Sequence, residues 1–409
     1  MSSRKRQNVK KQRRMLVYLL AVVLVVLSWV RLTSKQTLVL ENQRYITTYD
    51  TQTFLLKNEQ VFYFDKNPVL VVSDGERVSR QTELFENDGT LQNFYRDQRS
   101  LLEKMTEIPK REELFQLLVD KKEEFKDLSD EENKDPLMEE IMDLVYQFSY
   151  ADLDEEALES RKEEIRDLSV DPYQGKTLIR LGGIHPGYWS NQLDGYESLL
   201  APGNIEALVG MDAQDLEETA GIIKDDTTGM KVIDDDTAYM MITIPKESLP
   251  EVKKQVEEKR RGLEENLEND DLQEYLSYLN RRVDVLNGMP QVSFFLEGKE
   301  RTARVVAVLD SDDEAQDVFV LQLKEYLTYD FLKKRKLDIQ LITYTNNGYV
   351  LPEKSLITKD GVTSIVVLNK GYLRKNLEVT VTKTMDDEVF LSRGDNESIT
   401  EGMQLLINP

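Results

Sequence analysis

The chain holds one histidine, His185, and no cysteine among its 409 residues. Those two residue types supply most general bases, soft-metal ligands and strong nucleophiles. Histidine-rich zinc sites, cysteine nucleophiles and cysteine-bound clusters therefore cannot be assembled from one copy. His185 sits between Ile184 and Pro186 in a Gly/Pro-rich run and reads as a loop residue. Carboxylates are plentiful instead, with 76 Asp and Glu. Two runs concentrate them, Asp234-Asp-Asp236 and Asp310-Ser-Asp-Asp-Glu314. Each resembles a loose calcium loop. Neither has the alternating spacing, the central Gly or the closing Glu of such a loop, so both read as turns with solvated charge. Sequences of the forms G-x-S-x-G, S-x-x-K with K-T-G, G-x-x-x-x-G-K-[ST] and H-E-x-x-H are absent. Peptidase, penicillin-binding and ATPase chemistry are thereby disfavoured. A carboxylate pair that hydrolyses glycans stays open. No catalytic, cofactor-binding or metal-binding residue is assigned, and no cofactor is expected.

The elements that would position any site start from an anchor. Met15 to Leu32 is apolar except for Ser28 and Arg31. At 1.5 Å per residue it spans roughly 27 Å as a helix, enough for a hydrocarbon core. Tyr18 and Trp29 lie near its ends, where amphipathic rings prefer to sit. Seven bases precede it, so residues 1–14 read as a cytoplasmic tail and residues 33–409 as extracytoplasmic. No small-x-small cleavage site follows, which favours a retained single-pass transmembrane helix over a signal peptide. The chain has 53 bases, and the first 32 residues hold eight of them and no acid. The outer portion is therefore strongly acidic, which argues against nucleic-acid binding. An outer portion without disulfides must be held by its core alone.

Short β-rich runs fill residues 37–84, including Val61-Phe-Tyr-Phe and Pro68-Val-Leu-Val-Val, with a turn at Asp74-Gly75. Helical spacing takes over from Leu91 to Leu168, in one or two hairpins interrupted at Pro109 and by a polar break ending at Pro136. Strands return after Asp171-Pro172. A short helical connection is expected at Gly203–Glu218 and a charged helical insert at Leu249–Leu286. Tyr188 and Trp189 are expected in the core of a small β module rather than in a surface patch. From Gly348 to Pro409 the chain is β-rich, with turn pairs such as Asp360-Gly361.

Two segments share an element: Val71-Val-Ser-Asp-Gly-Glu-Arg-Val and Ser190-Asn-Gln-Leu-Asp-Gly-Tyr-Glu bracket the helices. This order resembles the HlyD-type membrane fusion proteins, also called periplasmic adaptor proteins. In that family two lipoyl-like half-motifs pair across an inserted α-hairpin. Val72, Gly75 and Val78 match the family's V-x-x-G-x-x-V turn. Phe295-Leu-Glu-Gly298 with Arg304-Val-Val-Ala-Val resembles its β-barrel strands. Tyr349-Val-Leu-Pro352, Gly361-Val-Thr-Ser-Ile-Val-Val and Ile399-Thr-Glu-Gly402-Met resemble its membrane-proximal domain. The sequence departs from the family at Pro68, where glycine is usual, and at His185-Pro186-Gly187. It lacks the R-L-S tip used to dock an outer-membrane channel. It is closer to HlyD-like proteins of Gram-positive envelopes.

The resemblance implies a mostly β fold with an inserted α-helical hairpin. It implies lipoyl-like halves (a barrel-sandwich hybrid) at 37–86 and 171–200, a hairpin at 87–170, a β-barrel domain at 201–345 with a helical insert at 249–287, and a membrane-proximal β domain at 346–409. It further implies a non-enzymatic, homo-oligomeric adaptor or scaffold that links a membrane transporter or envelope complex to outer components. The Asp-Gly turns carry no lysine at their tips, so no covalent lipoyl group is expected. The alternatives are a cell-surface carboxylate hydrolase of wall glycans and an extracytoplasmic sensor.

Overall fold

The computed structural model describes residues 36–409, except 65, 67, 106–109, 129–130, 152, 170–175, 183, 212, 221–228, 264–271, 312, 326 and 370–372. The expected transmembrane segment, 15–32, lies outside the described residues. Among the described residues no helix is long and apolar enough to cross a membrane.

The chain is mostly β with helices inserted. Its strands are β1 (Thr37–Val39), β2 (Gln43–Tyr63), β3 (Arg77–Val78) and β4 (Glu83–Glu86). Four helices follow: α1 (Thr90–Lys104), α2 (Arg111–Asp127), α3 (Glu131–Phe148) and α4 (Glu155–Leu168). Then come β5 (Leu178–Arg180), β6 (Gly187–Ser190), α5 (Ile205–Leu208), α6 (Ala213–Ala220) and the long β7 (Gly229–Pro245). Helices α7 (Pro250–Arg261), α8 (Leu272–Arg281) and α9 (Val283–Asn287) precede β8 (Gln291–Leu296), β9 (Lys299–Asp310) and β10 (Gln316–Leu323). The chain ends with α10 (Tyr329–Leu332), β11 (Lys336–Pro352), β12 (Leu356–Lys359), β13 (Val362–Asn369), β14 (Leu373–Glu378), β15 (Lys383–Met385), β16 (Glu388–Ser392) and β17 (Gln404–Leu406).

Two compact units result, one of residues 36–47 with Thr343–Pro409 and one of Thr48–Ile342. In the first, β1 pairs with β17 near the other end of the chain, Leu38 opposite Leu405. The sheet runs β1-β17-β13-β12, with β14 added on β13. Leu40, Tyr349, Ile365, Leu377 and Leu405 form its core.

In the second unit the sheet order is β11-β8-β9-β10-β7-β6-β3. Its largest core gathers alternate residues of the central strands, such as Met240, Ile242, Val305 and Phe319, with Leu114, Leu118, Ile141 and Val145 from α2 and α3. A smaller core surrounds Trp189, which is wholly buried. Phe62, Val78, Phe85, Leu91, Phe94 and Ile184 pack there. The Trp189 ring lies 6.3 Å from Phe62 and 5.7 Å from Phe85, while Tyr188 is only half-buried.

Local chemistry explains the helices. Asp88 accepts the Thr90 N–H at 2.9 Å, and Leu91, Phe94, Leu101 and Leu102 then repeat on one buried face. Asp154 caps α4 by accepting the Ala157 N–H at 2.7 Å, with Glu155 and Glu156 in the favourable first turn. Helix α1 packs on α4, and α2 packs on α3. The polar break is shorter than its composition suggests: α3 starts at Glu131 and carries Pro136 within it. A proline there removes one helical donor. Burial of Leu137, Ile141 and Val145 beyond it offsets that cost.

Replacing Trp189 by Ala should cost about 4 kcal/mol of stability, as large aromatic truncations in cores do. Chemical denaturation of the full chain measures it. A loss below about 1 kcal/mol would contradict the central place given to this side chain.

Candidate functional site

The two Asp-Gly segments meet. Strand β3 pairs antiparallel with β6, Arg77 opposite Tyr188 and Val78 opposite Gly187. The Gly75 N–H donates to the Trp189 carbonyl at 2.8 Å, and the Trp189 N–H returns to Glu76 at 2.9 Å. Gly75 has φ of 79°, and a Cβ there would stand 2.7 Å from the Tyr329 ring. Both conditions demand glycine. Its neighbour Asp74 accepts from the Asn191 N–H at 2.9 Å and from the Tyr329 hydroxyl at 2.7 Å. The first Asp-Gly turn is thus tied to the second segment and to α10.

The second turn ties into a buried ion network. Gly195 has φ of 83°, with the Ala220 carbonyl where a Cβ would go. Asp194 receives two hydrogen bonds from Arg335, at 2.8 and 2.7 Å. Arg335 also reaches Glu59 at 2.6 Å. Lys231 contacts Glu59 at 3.1 Å and Glu197 at 2.9 Å. Lys57 stands 3.7 Å from Glu59 and donates to the carbonyl of Leu332. Lys122, on α2, donates to the Gly195 carbonyl at 2.8 Å. The network therefore joins β2, α2, the 194–197 turn, β7 and the residue preceding β11.

Its electrostatics follow from burial and from opposed charges. Burial raises the Glu59 carboxyl, but Arg335, Lys231 and Lys57 outweigh it and hold the group at about 2. Burial dominates at Lys57 and brings its ammonium down to about 7, against the pull of Glu59. It likewise brings Lys122 down to about 8. Burial opposes the charge on Lys231 too, yet Glu59 and Glu197 raise that group overall. Asp194 is held far below the usual carboxylate range: burial works against its charge, and the Arg335 hydrogen bonds and charge overcome it.

Beside this network a crevice of about 1170 Å³ opens within the second unit. Its lining includes Phe62, Phe94, Tyr146, Phe148, Arg80 and His185. His185 is exposed at the wall, and its own N–H donates to Gln60 at 3.1 Å. Partial loss of hydration pulls its imidazole below the ordinary range, with Asp234 pulling the other way. Among the described residues no Ser, Thr or Asp is hydrogen bonded to its ring. Among the described residues, too, no group of three His, Cys, Asp or Glu is placed to hold a metal ion.

The acidic runs differ from each other. Asp310–Glu314 joins β9 to β10, and Asp313 accepts the Ala315 N–H at 2.9 Å. Asp234–Asp236 is no turn: it lies inside β7, where the β2 register shifts between Lys57 and Glu59. The shift marks a bulge, which lets Asp235 pair with Arg77 of β3.

Pattern reading passed over Lys57, Glu59, Lys231 and Arg335. A signal was present at three of them, in Leu55-Leu-Lys-Asn-Glu59 and Met230-Lys-Val232. Lys57 follows two buried leucines, and Lys231 stands between two buried residues of its strand. The ion-pair partners lie up to 276 positions apart, Glu59 to Arg335, and no local pattern joins them.

No family model and no curated protein matches the sequence. Several solved structures are similar to the chain. ZneB from Cupriavidus metallidurans is 9% identical over 92% of this chain and 93% of its own, with a TM-score of 0.26. MacA from Actinobacillus actinomycetemcomitans is 12% identical over 91% and 100%, at 0.29. The third comes from Streptococcus pneumoniae R6 and is 10% identical over 72% and 98%, at 0.26. It is a membrane fusion protein, the kind of protein that this sequence resembles. At TM-scores this low the superpositions carry no argument about function.

Replacing Glu59 by Gln should destabilise the protein by about 3 kcal/mol, because buried cations lose their counter-charge. The native carboxyl sits below its ordinary value of 4.5, so its contribution is full above that pH and is lost as pH falls through about 2. Denaturation measured across that window should show a flatter pH slope for Glu59→Gln than for the parent. Equal slopes would contradict this assignment.

Proposed function

We propose that the chain is a membrane-anchored, extracytoplasmic adaptor or scaffold of the HlyD type. It performs no catalysis. Residues 15–32 cross the membrane with the N-terminus in the cytoplasm, and residues 33–409 work outside. There they form a homo-oligomer that links a membrane transporter or another envelope complex to outer components.

The observation that carries this reading is the pairing of β3 with β6 on either side of α1 to α4. In this reading 37–86 and 171–200 are the two lipoyl-like halves and 87–170 the inserted hairpin. Residues 201–345 are the β-barrel domain and 346–409 the membrane-proximal one. Chain length supports the last assignment. Four residues separate Leu32 from β1, a reach of at most roughly 18 Å even if extended. Strand β1 pairs with β17, so the 346–409 segment is held close to wherever the anchor ends.

The transport or scaffold role is tested by cross-linking in intact membranes followed by purification of the tagged full chain. A polytopic membrane protein or envelope complex should co-purify in defined proportion, and the mature chain should retain residues 15–32. Recovery of a lone monomer, or an N-terminus beginning after Leu32, would contradict it.

A further inference from the structure

The crevice beside the ion network is chemically divided. Its volume of about 1170 Å³ is ample for a drug-sized molecule, since such ligands occupy clefts of roughly 300–1,000 Å³. One part of the lining is aromatic. Phe62, Phe94 and Tyr146 come from β2, α1 and α3, and the Phe94 ring lies 6.0 Å from Phe62 and 6.3 Å from Tyr146. The Tyr146 hydroxyl accepts the Tyr63 N–H at 2.7 Å and donates to the Tyr63 carbonyl at 3.0 Å. Its polar tip is therefore spent on the backbone, and its ring is what it offers to the crevice.

The other part is cationic. Among the described residues, five Arg and Lys side chains line the crevice against five carboxylates. Two of those carboxylates, Glu59 and Glu197, are already met by Arg335 and Lys231, which lie outside the lining. The crevice therefore carries an excess of positive charge, in a chain whose net charge is −23. Two of the cations converge from different elements. Arg80 is exposed just after β3, and Arg161 is half-buried on α4, where it is bonded to Glu164. The positive charge of both acts on the His185 ring between Ile184 and Pro186.

Ring surface beside two convergent guanidiniums suits one class of ligand. An organic cation would be repelled, and a small anion without an apolar body would leave the rings in water. We propose that this crevice binds an organic anion, a carboxylate or phosphate head on an apolar body. The head pairs with Arg80 and Arg161, whose planar guanidiniums match the geometry of either group. The body lies on Phe62, Phe94 and Tyr146. A free aromatic acid and a single-chain lipid share this chemistry. The site lies wholly within the second unit and depends on neither the anchor nor a partner.

Calorimetric titration of the full chain in lipid nanodiscs, with empty nanodiscs as the blank, tests the proposal. 2-Naphthoate stands for the free acid and dodecyl phosphate for the lipid. Saturable binding of either at one site per chain supports the crevice and tells which body it takes. 2-Naphthylmethylammonium and acetate should each bind at least about tenfold more weakly. Arg80→Gln and Arg161→Gln should each weaken the anion about tenfold, whereas Lys254→Gln, which removes an exposed cation on α7, should change nothing. Arg80 is exposed, so Arg80→Gln should melt with the parent and report binding alone. No saturable binding of either anion, equal binding of the ammonium or of acetate, or binding unmoved by both arginine variants would overturn the site. Co-purification of a membrane complex is untouched by any of these outcomes, so the two readings fail separately.

Discussion

The pairing of Arg335 with Asp194 and Glu59 is the interaction on which the second unit depends. A guanidinium removed from water is tolerable only when counter-charges lie close to it. Arg335 meets that demand with two carboxylates from distant parts of the chain, and Lys231 and Lys57 then neutralise the same carboxylates from β7 and β2. Five chain segments are fixed by one requirement, that no buried charge stand alone. The apolar cores on either side contribute more free energy, but burial is non-directional. The ion network adds direction, because each of its charges is met by a named partner.

That constraint explains how two segments separated by the four helices act as one body. The β3–β6 ladder is short, only two residue pairs. By itself so small a ladder is marginal. It persists because Gly75 and Gly195 shape turns whose aspartates are spoken for, Asp74 by Asn191 and Tyr329, and Asp194 by Arg335. Trp189 fills the space between. Helix α2 is tied into the same arrangement through Lys122, so the helical insertion is anchored at Gly195 as well as by its apolar face.

The local features were legible from residues alone. The strand runs, the two Asp-Gly turns, the helical spacing of Leu91, Phe94 and Leu101 and the inward place of Trp189 all depend on near neighbours. Long-range features were not. Leu38 opposite Leu405 joins opposite ends of the chain, and nothing near either residue announces the other. The bulge at Asp234–Asp236 looks like a turn in composition, because clustered acids disfavour strands; the Arg77 partner that stabilises it is 158 positions away. Pro136 reads as a stop, yet its helix continues because tertiary burial outweighs one missing donor. The candidate site was hidden for the same reason, since its charges gain meaning only through partners from five segments.

The central claim is that the two bracketing segments and the main sheet open as one cooperative body, held by the ion network. Native-state hydrogen exchange on the full chain tests it most directly. Three amides report: Gly75, bonded to Trp189; Trp189, bonded to Glu76; and Leu55, bonded to the Arg335 carbonyl. All three should exchange with the same opening free energy, equal to that of the slowest amides of β7. Exchange of Gly75 and Trp189 at a clearly lower free energy than Leu55 would show that the paired segments open by themselves, and would contradict the account.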